Sequence, residues 1–461
     1  MTTAMTSRVP VVPLRARMLR AAGWLLGGNI SSQALRLLSN LILTRLLVPE
    51  AFGLVAAVNT LYFALVMFSD LGVWQSVVKS ERGTQARFLG TAWAVQLARG
   101  VLLCLVVLVI GAGFHWAGAQ GLFAQGTVYA DPRLAPMIAV FGVCALLQGL
   151  ESMKLALAQR ALQVAYLSRL EVASQLIATA VTLVLALATR SVWSLLVGTL
   201  VASAARTALS HLYLPGAVAR PCWDRDCAKE IIGFGKWIFL SSIIGFLAAH
   251  GEKLILGATL STASFGIFSI ASTLMMAIMG VYGALNAHII FSALSESLRT
   301  SEQATAQVYG RVQQLADIFL GVMAGGIFMS GHWAVQLFYD HRYQDAGWMF
   351  QWLGLSLLAV RHQVVEQLMF AKGSPQWVTA SNLLRAISLL LLVPAAYAWG
   401  GEKAAVVAVV ASQFVSWPVA LWFKSRHGLL TWASERVWLP ALCLGMLAGW
   451  ALDATILTFL H

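Results

Sequence analysis

Apolar residues run through this chain in long stretches broken by short polar, Pro- or Gly-containing segments. The spacing predicts membrane-length helices over about 21–48, 52–77, 87–114, 134–158, 165–188, 191–214, 235–259, 264–291, 312–338, 346–371, 376–399, 403–424 and 436–458. That is twelve spans plus one, and if the last crosses fully the two termini lie on opposite sides of the bilayer. The stretch FSALSESLRTSEQATAQVYGRVQQ, residues 291–314, is polar enough to lie at the membrane surface as an amphipathic helix.

Within this pattern one passage occurs twice. Residues 24–64 and 237–277 align without a gap at an offset of 213: Trp24 with Trp237, Leu41-Ile42-Leu43 with Leu254-Ile255-Leu256, Leu47 with Leu260, Phe52-Gly53 with Phe265-Gly266, and Thr60-Leu61 with Thr273-Leu274. About a quarter of the positions agree, against roughly a tenth expected by chance in so apolar a chain, so an internal duplication is expected. Paired membrane-embedded halves are a common construction among transporters. The expected organisation is a basic leader over 1–20, a first lobe over 21–214, a linker over 215–234, a second lobe over 235–424 and an extra span over 425–461.

Composition excludes a water-soluble globule. Hydrophobic residues make up 59% and charged residues 11%, with a mean hydropathy of +0.76. The net charge of +12 is scattered over short loops, which argues against nucleic-acid binding and for loops that orient helices in a bilayer. Lys and Arg gather on one set of alternate loops: Arg8 to Arg20, Lys79 to Arg87, Arg160, Arg220 to Lys236, Arg299 and Arg311, Lys372, and Lys424 to Arg436. The other set holds little beyond Arg133, Arg190, Arg342 and Lys403, so the N-terminus is expected in the cytoplasm. Three of the five cysteines, Cys104, Cys144 and Cys443, sit in apolar runs. The pair in PCWDRDC, Cys222 and Cys227, has no second ligand pair beside it, so no metal site is expected. Of the 17 tryptophans, Trp93, Trp116, Trp193, Trp348, Trp399, Trp432 and Trp438 fall near span ends, as an interfacial belt requires.

Charges inside the spans carry the functional signal. Each costs about 2.5–3.5 kcal/mol on insertion scales unless it has a partner, a cavity or a route to the interface. Lys154, Arg169, Arg206 and Arg385 are placed to snorkel. Arg36, Arg99 and Arg361 are too central for that, and with His250 and Lys253 they are the candidate substrate-binding residues. Cations on a cavity favour an anionic ligand, and the guanidinium fork suits phosphate or pyrophosphate. The acids Glu252, Glu366 and Asp70 are candidates for ion or proton coupling, with Asp317 as a further intramembrane acid. No nucleotide-binding Gly-x-x-x-x-Gly-Lys-Ser/Thr loop and no catalytic constellation is recognisable, so neither an enzyme nor a cofactor is expected.

Three segments carry a family resemblance. LTRLLVPEAFGL at 43–54, GEKLILGATLSTASFGIFSIA at 251–271 and LFYDHRYQDAGWMFQWLGL at 337–355 resemble corresponding signatures of the Wzx-type oligosaccharide flippases. These form the polysaccharide-transport branch of the multidrug/oligosaccharidyl-lipid/polysaccharide exporter superfamily. Glu252 stands where an Asp is common, and Tyr339-Asp340 replaces the more usual Gly-Glu or Gly-Lys. The resemblance implies an all-α integral membrane protein of two six-helix bundles related by pseudo-two-fold symmetry around a cationic cavity. It implies alternating access that moves a polyprenyl-pyrophosphate-linked glycan across the bacterial inner membrane for exopolysaccharide, capsule or O-antigen assembly, alongside a polymerase or export complex. Two rivals differ in what they need: a multidrug exporter of the same superfamily leans on intramembrane acids, and a polysaccharide polymerase or ligase uses a large outer loop.

Overall fold

In a computed structural model the residues described are 14–460, apart from 162, 217–218, 287–289 and 432–434. Residues 1–13 of the leader, Trp432 and the side chains of Lys236 and Trp237 lie outside the described residues. The rest of the leader is already helical, because the first helix starts at Leu14.

Every apolar run becomes helix. In order these are α1 (Leu14–Leu46), α2 (Pro49–Phe68), α3 (Val73–Lys79), α4 (Ala86–Ala119), α5 (Leu134–Gly149), α6 (Lys154–Arg160), α7 (Val164–Thr189), α8 (Trp193–Leu212) and α9 (Arg225–Thr259). They continue as α10 (Thr262–Leu285), α11 (Phe291–Thr300), α12 (Glu302–Phe338), α13 (Ala346–Gly354), α14 (Leu357–Val360), α15 (Gln363–Ala371), α16 (Pro375–Phe414), α17 (Trp417–Arg426) and α18 (Trp438–Leu460). Among the described residues, 8 helical segments are long and apolar enough to cross a membrane, or up to 9 when α5 and α6, bent by 60°, count as one. The remaining runs are broken or charge-bearing: 346–371 is three short helices, while α1 and α9 carry Arg36 and the His250–Lys253 group.

Local chemistry sets the boundaries. Pro49, whose missing N–H costs nothing at the first helical turn, starts α2. Ser261 caps α10 by accepting from Ser264 N, and Ser301 caps α12 through Ala304 N. Asp224 accepts from the amides of Asp226 and Cys227, so α9 begins ten residues inside the expected linker. That linker is pinned to the first half rather than free: Cys222 N donates to Gly90 O at 3.3 Å, Asp224 N to Thr91 Oγ1 at 3.1 Å, and Arg82 pairs with Glu230 at 2.6 Å. The Arg82 and Ser80 hydrogen bonds hold the Glu230 carboxyl below its ordinary range. Gly400 and Gly401 leave helical geometry, Gly401 with φ +66°, which divides the continuous stretch α16–α17 into two spans.

Helices α1, α2, α4, α5, α7 and α8 pack together in the first half, and α9, α10, α12, α13 and α16 in the second. The halves join where α2 crosses α10, and the duplicated residues are the crossing point. A Cβ added to Gly53 would lie 2.3 Å from Thr262 O, and one added to Gly266 would lie 1.9 Å from Pro49 O. The two members of the repeated Phe-Gly therefore face each other, as a pseudo-two-fold axis requires. Around them Leu47, Phe52, Leu54, Leu260, Phe265 and Phe268 form a continuous buried core.

The symmetry extends beyond the aligned passage. Two short 3-10 turns, Val128–Ala130 and His341–Tyr343, again lie 213 residues apart. Each sits on the other half: Tyr129 donates to Leu254 O at 3.1 Å, and Tyr343 donates to Leu47 O at 2.8 Å. Arg342 adds bonds of 3.2 Å to the carbonyls of Thr44 and Arg45 at the end of α1. Asp340 holds that guanidinium, and the same hydrogen bonds pull its carboxyl down to about 2. This end of the molecule is a reciprocal clasp.

The thirteenth run, α18, packs against α12 through small residues. A Cβ on Gly325 would lie 2.2 Å from Leu442 O, and Trp333 Nε1 donates to Asp453 Oδ1 at 2.6 Å.

Candidate functional site

Two charged surfaces flank the α2 crossing, one in each half. In the first half α1, α7 and α8 lie side by side, so Arg36, Glu171, Gln175 and Arg206 come together. Arg206 reaches two acids, Glu151 in the break between α5 and α6 at 2.8 Å and Glu171 of α7 in a short contact. Arg36 stands 3.9 Å from Glu171 and donates to Gln175 Oε1 at 3.4 Å, with its side chain 54% exposed. A depression of about 610 Å³ is lined by Arg206, Arg99, Asp70, Trp74 and Gln159. Arg99 is oriented there by Val66 O at 2.7 Å and Ser69 Oγ at 3.1 Å.

The second half has a cavity of about 390 Å³ lined by His250, Glu252, Lys253, Gln363, Glu366 and Arg385, together with apolar residues. Arg385 is fixed by Glu366 at 2.8 Å and by Ser416 Oγ at 3.0 Å. Lys253 Nζ lies 3.7 Å from Met276 Sδ. The His250 ring packs edge-on against Phe63 of α2, with centroids 5.1 Å apart, so it reaches across to the first half.

The sequence-chosen cations thus separate. Arg36 and Arg99 lie on the first-half surface, and His250 and Lys253 on the second-half cavity beside Glu252 and Glu366; Asp70 faces Arg99's depression. Arg361 belongs to neither. It is 2% exposed and clamped by Asp317 through both oxygens at 2.7 and 2.6 Å and by Glu435 at 3.1 Å, with Lys424 on Glu435 at 2.7 Å. Gln313 completes the network on Asp317 at 2.6 Å. A central position in the run left Arg361 no route to water; the physical answer is a pair of buried acids rather than a cavity.

Residues that reasoning from sequence passed over now matter. Glu151, Glu171 and Gln175 bind the arginines, and Arg206 and Arg385, rather than snorkelling to the interface, sit on the charged surfaces. The expected cationic cavity is a mixed one: Arg36, Arg99 and Arg206 stand among Asp70, Glu151 and Glu171, and Lys253 and Arg385 among Glu252 and Glu366. The signal was available, since Glu151 and Glu171 interrupt predicted spans as much as the arginines do.

Comparison with known proteins places this geometry. Residues 42–348 match a family described as polysaccharide biosynthesis protein. The lipopolysaccharide biosynthesis protein WzxC of Escherichia coli strain K12 is 21% identical over 70% of this chain and 64% of its own length. An inward-facing multidrug resistance MATE family transporter of the MOP superfamily superposes with a TM-score of 0.68 at 12% identity, covering 88% of this chain and 96% of its own. The lipid II flippase MurJ in an inward closed conformation gives 0.68 at 11% identity, covering 92% of each chain. The multidrug/oligosaccharidyl-lipid/polysaccharide exporter fold expected from the sequence is the fold observed.

Proposed function

The chain belongs to the polysaccharide biosynthesis protein family, and from that premise we propose that it flips a polyprenyl-pyrophosphate-linked oligosaccharide from the inner to the outer leaflet of the bacterial inner membrane. The observation that carries the reading is the half-exposed guanidinium of Arg36, which shares Glu171 with Arg206, itself on the depression lined by Arg99. A pyrophosphate moved through hydrocarbon unpaired would be prohibitively costly, and arginines on a wall that joins both leaflets supply the missing charge. His250 and Lys253 line the second-half cavity and would contact the same head group or its glycan.

The similarity to a lipopolysaccharide biosynthesis protein and to a lipid II flippase supports a lipid-linked glycan as cargo and a transporter rather than an enzyme. The product serves exopolysaccharide, capsule or O-antigen assembly, handed to a polymerase or export complex at the outer face. The N-terminus lies in the cytoplasm, so the Tyr129 and Tyr343 clasp closes the outer end while cargo enters from within. Glu252 and Glu366, lining the second-half cavity, are placed to carry a coupling proton or sodium ion; Asp70 is the corresponding acid of the first half.

The test is export in cells whose only copy of the protein is wild type or Arg36→Ala. The variant is expected to reach the membrane at the normal level and yield no surface polymer. Normal polymer at equal protein would overturn the reading, and sensitivity to cationic drugs in place of polymer loss would redirect it to drug export.

A further inference from the structure

The mixed charge of the first-half surface raises a problem that the proposed function leaves open: the arginines meant for the cargo already hold acids. Their two partners are not equivalent. Glu151 is 9% exposed and bound to Arg206 Nε at 2.8 Å, so it is the buried acid of the two. Glu171 is 40% exposed and lies between two guanidiniums from different helices, on Arg206 in a short contact and 3.9 Å from Arg36. At that separation Arg36 is attracted to Glu171 without a direct hydrogen bond, and among the described residues its side-chain bond is the long one to the neutral Gln175.

Resting on the reading above, we propose that Glu171 is a built-in competitor: a displaceable counter-anion that occupies the Arg36 and Arg206 pair in the empty protein and is exchanged for the cargo's phosphates. Its departure leaves Arg206 paired with Glu151, so the exchange uncovers one guanidinium fully and one partly. Both are then open to the oxygens of a single multivalent anion. Guanidiniums bind phosphate through the same paired N–H groups that bind carboxylate, so the swap preserves geometry and changes only charge.

The consequence is selectivity by charge number. A singly charged head group offers the arginines no more than Glu171 already gives and gains nothing by displacing it. A pyrophosphate, with more charge, does gain. Membranes are crowded with singly charged phospholipids, and a bare arginine pair would bind them; Glu171 acts against that alternative ligand while the arginines act for the intended one. Glu171 is therefore a specificity-determining residue for the proposed reaction.

The test uses the full chain in nanodiscs of zwitterionic lipid, with farnesyl pyrophosphate as the multivalent probe and phosphatidylglycerol as the singly charged competitor. Glu171→Gln is expected to bind farnesyl pyrophosphate roughly tenfold more tightly than wild type, the scale of a coupling near 1.4 kcal/mol. The same variant should be inhibited by phosphatidylglycerol at levels that leave wild type unaffected. Unchanged or weaker probe binding in Glu171→Gln, with wild type binding normally, overturns the competitor role and leaves the flippase reading intact. Failure of both proteins to bind the probe removes both. Should Glu171→Gln not fold, Glu171→Asp withdraws the carboxylate by one methylene, and the same tightening is expected in smaller measure; its absence overturns the proposal equally.

Discussion

Arg36 and Arg361 are the same residue type, each near the middle of an apolar run, and the fold uses them in opposite ways. Arg361 is enclosed: Asp317 takes it through both oxygens, Glu435 takes it from the other side, and Lys424 balances Glu435. Arg36 is more than half exposed, 3.9 Å from its acid and on a long bond to Gln175. A guanidinium buried between two acids is out of a ligand's reach. One held loosely and more than half exposed is not. Position along a span thus identifies a charge that needs explaining, while the partners decide whether the explanation is structural or functional.

The contrast can be broken most strongly from its buried side. Arg361→Ala leaves Asp317 and Glu435 facing each other's vicinity without their shared cation, and removing one partner of a buried pair costs about 3–5 kcal/mol. Loss of folded protein, read by size-exclusion in detergent or by a fall in melting temperature, is the expected result; a well-folded variant would place Arg361 on a water-filled surface after all. Gly53→Val comes next. Its side chain would enter the space held by Thr262 O, and overpacking of that kind costs typically about 1–3 kcal/mol. The variant should separate the halves at the α2–α10 crossing, measurable as loss of a crosslink between cysteines introduced there.

Tyr343→Phe removes one bond to Leu47 O while leaving the ring against Phe52, a change of about 1 kcal/mol. It should shift the population away from the clasped state without unfolding the protein, as seen by labelling of a cysteine placed on the α1–α2 turn. The smallest effect concerns pH. The folded Asp340 carboxyl lies at about 2, below its ordinary value near 3.8, so its stabilisation is fully present above about pH 4 and fades as pH falls towards 2. Clasp occupancy should therefore be unchanged by Asp340 between pH 5 and 8. His341 pairs with Asp340 at 3.1 Å, so the check is made in a His341→Gln background, where a change across that window that Asp340→Asn abolishes would contradict the assignment.

Much of this arrangement was legible along the chain. The apolar runs marked where helix forms, because twenty residues without a charge admit little else in a bilayer, but not the breaks inside 52–77, 134–158 and 346–371 or the early starts of α9 and α12. The 213-residue offset marked the axis, and the structure adds that Gly53 and Gly266 touch and that two 3-10 turns keep the same spacing. The turns leave no mark in the sequence, because Val-Tyr-Ala and His-Arg-Tyr share little but a tyrosine displaced by one position. The site was only half legible. Cations stand out in lipid, but which acid reaches which cation depends on how helices far apart in sequence pack: Glu171 meets Arg36 across 135 positions and Glu435 meets Arg361 across 74. Counting bases without their partners made the cavity look more cationic than its wall is.

The central claim is that the exposed arginines of the first half carry a pyrophosphate-linked glycan across the bilayer. Its most direct measurement is transfer of a fluorescent polyprenyl-pyrophosphate-linked oligosaccharide between leaflets of proteoliposomes holding wild type or folded Arg36→Ala at matched density. Rapid transfer by wild type, with Arg36→Ala reduced to the rate of empty liposomes, is the predicted result. Equal transfer by the two proteins would contradict the account, and so would no transfer by either.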